Sequence, residues 1–128
     1  MNPSKIFILD DDAFSLAFTK GALQNLGYSD INLFIDSDEL IAALETETPD
    51  VVFLDYSMEP LNGLDIMYII MQRHPSVKFI FLSGQEEIQI ALQAIQYGAV
   101  DYIVKGTGAV NKMAKALNKI SGCLPLAS

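Results

Sequence analysis

Five short runs of apolar, strand-forming residues alternate along the chain with longer stretches that have helical spacing. The predicted strands cover about residues 5 to 9, 31 to 35, 51 to 54, 77 to 82 and 100 to 104. The third and fourth runs are apolar on both faces, which is typical of central strands covered by helices on each side of a sheet. A strand followed by a helix, repeated five times, predicts an α/β domain built on a parallel sheet.

Helices fit the intervals between these strands. The first covers about residues 13 to 26, ends before Gly27, and places apolar side chains at i, i+4 steps: Phe14, Phe18, Ala22 and Leu26. The second begins at Ser37. The other three are predicted over 62 to 73, 86 to 96 and about 108 to 120, each bounded by glycine or proline.

Polar side chains stand at the ends of four predicted strands. Asp11 follows the first, Asp55 the third, Ser83 the fourth and Lys105 the fifth. In a parallel sheet the carboxyl ends of the strands lie side by side, and ligands bind in the crevice outside them. We therefore expect these residues, which are distant in sequence, to meet in one pocket.

Composition and charge restrict the classes of function. The 128 residues suit a single domain, to which we assign residues 1 to 122, with 123 to 128 as a tail or linker stub. With 8 basic and 16 acidic residues the net charge is −8, which disfavours direct binding to nucleic acid or anionic membranes. The single cysteine, Cys123, excludes an internal disulfide, and we predict a cytoplasmic chain without a leader or membrane span.

Three aspartates of the predicted pocket raise an electrostatic problem. Asp10, Asp11 and Asp55 would share a small volume, where two unit charges ~4 Å apart cost ~4 kcal/mol at an effective dielectric of 20. A cation or a proton must relieve this repulsion. An all-oxygen cluster suits Mg²⁺ better than zinc, which prefers His and Cys ligands. Asp12, just before the first helix, is instead predicted to be its N-cap.

These motifs together resemble the response-regulator receiver domain of two-component signalling. The resemblance covers about Lys5 to Ile120 and includes paired acids in KIFILDDD, the aspartate of VVFLD, the hydroxyl of FIFLS and the lysine of DYIVK. It is specific because the motifs occur in order and at the right spacing. It implies a doubly wound, flavodoxin-like five-stranded parallel sheet of order 2-1-3-4-5.

The resemblance also implies roles for single residues. Asp55 would be the phosphoacceptor, assisted by Lys105 and by Ser83, which would hydrogen-bond a phosphoryl oxygen. Tyr102 matches a position whose ring swings between outward and inward rotamers on activation. The implied direct ligands of Mg²⁺, with Mn²⁺ as a substitute, are Asp11, Asp55 and the backbone carbonyl of Ser57, and Asp10 is implied as a near or water-mediated ligand.

Three departures from the family pattern are visible. Gly106 follows Lys105 where proline is usual, so a cis peptide bond is not expected there and the loop is expected to be looser. Ser83 replaces the commoner threonine and lacks its methyl group. Glu59 stands where proline is usual, one position before Pro60. None of these changes removes a reacting group, so we expect a phosphorylatable receiver.

The resemblance implies partners as well. These are a sensor histidine kinase or histidine phosphotransfer protein, and an output domain or protein that docks on the fourth helix, fifth strand and fifth helix, with a phosphorylation-dependent homodimer as an alternative. In the fourth helix we expect Ile90 to point outward and an inward stripe of Ile88, Ala91, Leu92 and Ile95. Three lysines, Lys112, Lys115 and Lys119, should share one face of the fifth helix.

Two other classes of function remain open at this point. A phosphatase of the haloacid-dehalogenase type also has an Asp-x-Asp after its first strand, which would make Asp10 the nucleophile. A flavodoxin-like interaction module that works without phosphorylation is the second. In the receiver interpretation the chain is a signalling domain, not an enzyme, apart from its own phosphorylation and dephosphorylation.

Overall fold

The computed structural model describes residues 5 to 84 and 87 to 122, and in these ranges strands and helices alternate. The strands are β1 Lys5–Leu9, β2 Asp30–Phe34, β3 Val51–Leu54, β4 Lys78–Ser83 and β5 Asp101–Val104. The helices are α1 Ala13–Asn25, α2 Ser37–Ala43, α3 Gly63–Arg73, α4 Ile88–Gln96 and α5 Ala109–Gly122. The predicted tail, residues 123 to 128, lies outside the described ranges.

The strands form one parallel sheet in the order β2-β1-β3-β4-β5. This confirms the predicted fold class. All four residues of β3 are buried, as are the last five of β4, because helices cover both sides of these central strands. The order places the ends of β1, β3 and β4 side by side, and the polar residues that follow them therefore meet at one edge.

Helices cover the sheet on two sides and form two hydrophobic clusters. On one side Leu16 and Leu23 of α1 pack with Met113 and Leu117 of α5. On the other side α2, α3 and α4 contribute Leu40, Ile66, Met67, Ile70 and Ala94. No helix within the described ranges is long and apolar enough to cross a membrane.

Side-chain caps fix where three helices begin. Asp12 accepts a hydrogen bond of 3.1 Å from the backbone N–H of Phe14, which confirms it as the N-cap of α1. Asp36 caps α2 by accepting from the N–H of Glu39 at 2.8 Å, so Ser37 is the first helical residue. Asn62 caps α3 in a reciprocal capping box with Asp65.

Several predicted boundaries differ from the observed ones by one or two residues. Ser83 is the last residue of β4 rather than the first after it, and β2 ends before Ile35. Asn62 and Gly108 precede their helices, and α5 continues to Gly122. The predicted start of α4 at Glu86 falls outside the described residues.

The predicted inward stripe of α4 is wrong. Ile88, Leu92 and Ile95 are 74%, 58% and 46% exposed, whereas Ile90 is half-buried. Only Ala94 of this helix is fully buried. A small residue on the inner face lets the helix backbone lie close to the sheet, and the large side chains project to its flanks.

The apolar spacing predicted for α1 also mixes two faces of the helix. Only Ala22 of the four spaced residues is buried, while Phe14 and Phe18 are 81% and 55% exposed. The buried face is made instead by Leu16, Thr19, Ala22 and Leu23.

Candidate functional site

Three carboxylates lie together at the carboxyl edge of the sheet. Asp10 and Asp11 follow β1, Asp55 follows the neighbouring β3, and each offers an oxygen within 4.8 Å of the others. Asp10 and Asp55 are buried, whereas Asp11 is exposed. The cluster has the ligand chemistry of a hard divalent cation, since its donors are all oxygens.

Lys105 provides a positive charge beside this cluster. Its ammonium lies 2.7 Å from an Asp10 oxygen and 3.5 Å from an Asp55 oxygen. Burial opposes the charge on Lys105, but the hydrogen bond to Asp10 and the attraction of Asp55 outweigh it, so the pKa of Lys105 is raised. The residue stays charged at neutral pH and partly neutralises the aspartates.

Asp55 is held in an environment that disfavours its negative charge. Burial is the main cause of its raised pKa, and repulsion from Asp10 adds to it. The attraction of Lys105 and a hydrogen bond from the backbone N–H of Ser57, at 3.3 Å, act in the opposite direction. A second cation near Asp55 would therefore stabilise the carboxylate further.

The backbone around the acids is fixed by short-range bonds. Asp10 accepts a hydrogen bond of 2.9 Å from the N–H of Asp12, which turns the chain toward α1. The N–H of Gly63 donates to the carbonyl of Tyr56 at 2.9 Å. A Cβ at Gly63 would come within 2.7 Å of the Asp55 carbonyl oxygen. Only glycine therefore permits this approach of α3 to residues 55 to 57, which we call the acceptor segment after the role predicted for Asp55.

Ser83 and Tyr102 connect the site to β5. Ser83, fully buried at the end of β4, is hydrogen-bonded to the Tyr102 side chain. The Tyr102 ring stacks on Phe81, its partner across the two strands, with centroids 5.9 Å apart. Burial raises the pKa of Tyr102, and the bond to Ser83 partly offsets this. The tyrosine side chain is half-buried.

Two loops that depart from the family pattern have defined backbones. The cis peptide bond within the described ranges joins Glu59 and Pro60, so Lys105 and Gly106 are joined in trans as predicted. Gly106 has φ +122°, a value that proline, fixed near −65°, cannot adopt. The glycine therefore gives the loop a different path, not simply a looser one.

An apolar cavity beside Lys105 was not predicted from the sequence. It has a volume of about 240 Å³ between α1 and α5, and Phe14, Phe18, Leu82, Lys105 and Met113 are among its lining residues. The sequence did contain an indication of this cavity, because Phe14 and Phe18 lie on a different side of α1 from the buried Leu16 and Leu23.

Comparisons with known proteins identify the family. A family model described as the response regulator receiver domain matches residues 6–118. The chain belongs to this family. The receiver chain is 31% identical to the chemotaxis protein CheY of Thermotoga maritima, over 91% of its own length and 97% of that protein. It is 33% identical to the transcriptional regulator NtrC of Salmonella typhimurium, over 78% of its own length but only 21% of NtrC.

A solved receiver domain from Clostridium thermocellum has the same fold. Its TM-score with this receiver is 0.85 at 27% identity, over 98% of this chain and 99% of that one. Family membership confirms the predicted assignment to two-component signalling and disfavours a haloacid-dehalogenase phosphatase. The chain spans about a fifth of the length of the NtrC relatives and nearly all of CheY.

Proposed function

We propose that this receiver accepts a phosphoryl group on Asp55 from a histidine kinase or histidine phosphotransfer protein and thereby controls an output partner. The observation that carries this is the position of Asp55, a buried carboxylate beside both Lys105 and the acidic pair after β1. An Asp55 oxygen forms the new P–O bond as the P–N bond of a phosphohistidine breaks, and the released imidazole takes up a proton.

The acids suit Mg²⁺, or Mn²⁺ in its place. Asp10, Asp11, Asp55 and the Ser57 carbonyl would hold the ion, and the clustering of three carboxylates supports the side-chain part of this ligand set. When bound, the ion would neutralise charge on the acids and on the incoming phosphoryl group. Lys105 would then turn from its present contacts with Asp10 and Asp55 toward a phosphoryl oxygen.

Ser83 and Tyr102 would convert phosphorylation into a change of shape. The Ser83 hydroxyl is now bonded to Tyr102, and in the phosphorylated state it would donate to a phosphoryl oxygen. A shift of a two-state equilibrium from 1:99 to 99:1 needs about 5.5 kcal/mol of differential stabilisation. Charge-assisted hydrogen bonds from Ser83 and Lys105, together with the ion, can supply an energy of this size.

The phosphodonor would dock on the exposed side of α1. Phe14, Ala17 and Phe18 form an apolar surface there, with the 240 Å³ cavity beside it and Lys105 on the cavity wall. A phosphohistidine on a partner helix seated against these side chains would face the edge of the sheet that carries Asp55.

The signal would leave through α4, β5 and α5. A cavity of about 290 Å³ between these elements is lined in part by Ile88, Leu92, Ile95, Tyr102 and Lys112. Its exposed apolar centre is larger than predicted, because the three large side chains of α4 face outward. An apolar centre beside charged residues suits a transient interface with an output partner or a second copy.

Labelling with acetyl phosphate tests the proposal. Uptake should require Mg²⁺ or Mn²⁺ and should be abolished in Asp55→Asn but kept in Asp38→Asn, which alters an exposed acid in α2. Trapping the acyl phosphate should locate it on Asp55. A label on Asp10 would indicate the phosphatase chemistry, and no label at all would indicate a module that works without phosphorylation. Equal labelling in excess chelator would contradict the role of the ion.

A further inference from the structure

A groove between α3 and α4 contains three of the five tyrosines of the chain. We call it the tyrosine groove, and it is lined in part by Tyr56, Leu64, Asp65, Tyr68, Gln93 and Tyr97. Its volume is about 680 Å³, larger than the cavities beside Lys105 and Tyr102. Neither phosphotransfer nor the proposed output surface uses it.

The walls of the groove present aromatic faces to solvent. Tyr68 on α3 is 65% exposed, and Tyr97 at the end of α4 is 59% exposed. Phenol rings combine a flat apolar face with a hydroxyl group, so they can bury large area at a low cost in side-chain entropy. Gln93 adds an amide that can both donate to and accept from a peptide backbone.

The charge of the groove restricts what it can bind. Asp65 is the only charged residue among the described lining residues, and neither lysine nor arginine lines the groove. One oxygen of Asp65 accepts a hydrogen bond of 3.2 Å from the N–H of Asn62, which keeps the carboxylate in place. Phosphopeptides, nucleotides and a second copy of this chain, at net charge −8, would all meet repulsion there.

We propose that the tyrosine groove binds an extended, proline-containing segment of a partner protein that is neutral or basic. Aromatic-lined grooves accept polyproline II segments because the proline rings stack on the aromatic faces and the backbone is already ordered. A basic residue in the segment would pair with Asp65.

The groove is linked to the acceptor segment through Tyr56. This residue directly follows Asp55, and its carbonyl accepts the hydrogen bond from Gly63 at the start of α3. A peptide against Tyr56 therefore touches the segment that would hold the ion and the phosphoryl group. By linkage, a phosphoryl mimic should change peptide affinity as much as the peptide changes affinity for the mimic. This coupling depends on the proposed function, but the docking itself does not.

Chemical-shift titration with a defined peptide tests the docking. The probe is a capped nine-residue peptide of three Pro-Pro-Lys repeats. One control peptide replaces both prolines of every repeat by alanine, and the other replaces every lysine by glutamate. We expect saturable shifts at Tyr56, Tyr68, Gln93 and Tyr97, with affinity roughly tenfold weaker for each control peptide. The same shifts in Asp55→Asn would show docking independent of phosphotransfer.

Matched variants locate the binding surface. Tyr68→Ala and Tyr97→Ala should each weaken the affinity for the probe peptide roughly tenfold. Phe14→Ala, which removes an exposed aromatic from the other side of the sheet, should leave this affinity unchanged. The proposal is overturned by no saturable shift, by shifts confined to α1 or to α4 and α5, or by equal binding of the glutamate peptide. It is also overturned if Tyr97→Ala removes self-association, because the occupant is then a second copy.

Discussion

At the scale of single residues, the surroundings of Asp55 make its ionised form unfavourable. It is buried next to Asp10, and the pair shares one lysine, which lies closer to Asp10 than to Asp55. Burial and repulsion raise the pKa of Asp55, so its ionised form costs stability that a cation or a covalent modification would recover.

We expect Asp55→Asn to stabilise the fold at neutral pH. A raised folded-state pKa means that the folded chain binds the Asp55 proton more tightly than the unfolded chain, so this stability is present below the unfolded pKa and lost as pH rises through the folded pKa. Asparagine cannot ionise, so the variant does not lose this stability as pH rises. The gain should be about 1–2 kcal/mol, part of the ~4 kcal/mol that two charges 4 Å apart cost at a dielectric of 20.

Denaturant unfolding at several pH values measures this effect. The difference between variant and wild type should shrink as pH falls through the raised pKa of folded Asp55 and should vanish below the unfolded pKa of aspartate. Asp38→Asn should give no comparable gain at pH 7. A gain that does not depend on pH would mean that Asp55 is not the source of the unfavourable charge.

Metal binding and signal coupling should be separable by substitution. Asp11→Ala should lose Mg²⁺ affinity, because it removes an exposed carboxylate of the proposed ligand set. Lys105→Ala and Ser83→Ala should keep Mg²⁺ binding but lose the change at Tyr102 that follows phosphorylation. Tyrosine fluorescence or chemical shifts during Mg²⁺ titration provide the measurement, and unchanged affinity in Asp11→Ala would contradict the ligand set.

At the scale of elements, α3 can lie close to the acceptor segment because Gly63 at its start has no side chain. We expect Gly63→Ala to destabilise the fold by about 1–3 kcal/mol, because the new Cβ would lie 2.7 Å from both the Asp55 carbonyl and a Phe81 ring carbon. Phosphoryl uptake should slow as well, since Asp55 must move. Thermal unfolding and labelling by acetyl phosphate measure the two effects.

Gly21→Ala is the matched control within α1. A Cβ there has no neighbour within 4 Å, so the change should stabilise the helix by roughly 0.5–1 kcal/mol. Equal destabilisation by both substitutions would show that the close approach at Gly63 is not the cause.

The strands were more predictable than the faces of the helices. Buried strands have continuous apolar sequences, so β1 and β3 were placed correctly and the positions of Asp10 and Asp55 followed from them. In α4, however, large apolar residues occur on more than one side, and the small Ala94 takes the inner position. Periodicity alone favours the larger side chains as the core.

Side-chain partners in the site could not be predicted from the pattern either. Strand order brings Lys105 to the same edge as the acids, but it does not determine that the ammonium bonds Asp10 more closely than Asp55. The positive φ of Gly106 could not be predicted either, because glycine is compatible with many loop conformations.

At the scale of the whole molecule, α4 has the fewest buried residues of the five helices that the structure describes. Ala94 is its one fully buried residue, the side chain of its N-cap residue Glu87 makes no capping hydrogen bond, and cavities lie on both of its flanks. An element with few buried residues is easy to rearrange. A movement of α4 would change the shape of both cavities. The proposed switch, Ser83 and Tyr102, lies beside this helix, so a change there would reach a large surface.

Activation should therefore protect one surface of the receiver. With Mg²⁺ and beryllofluoride, a phosphoryl mimic, we expect slower amide hydrogen exchange in α4, β5 and α5, whose exposed centre is Ile88, Leu92 and Ile95 beside Tyr102. Sedimentation distinguishes a tightened monomer from a dimer formed through this surface. Leu92→Ser should remove any dimer, and Tyr68→Ser, an exposed residue on α3, should not. Protection confined to α2 and α3, or no change beyond the acidic cluster, would place the output surface elsewhere.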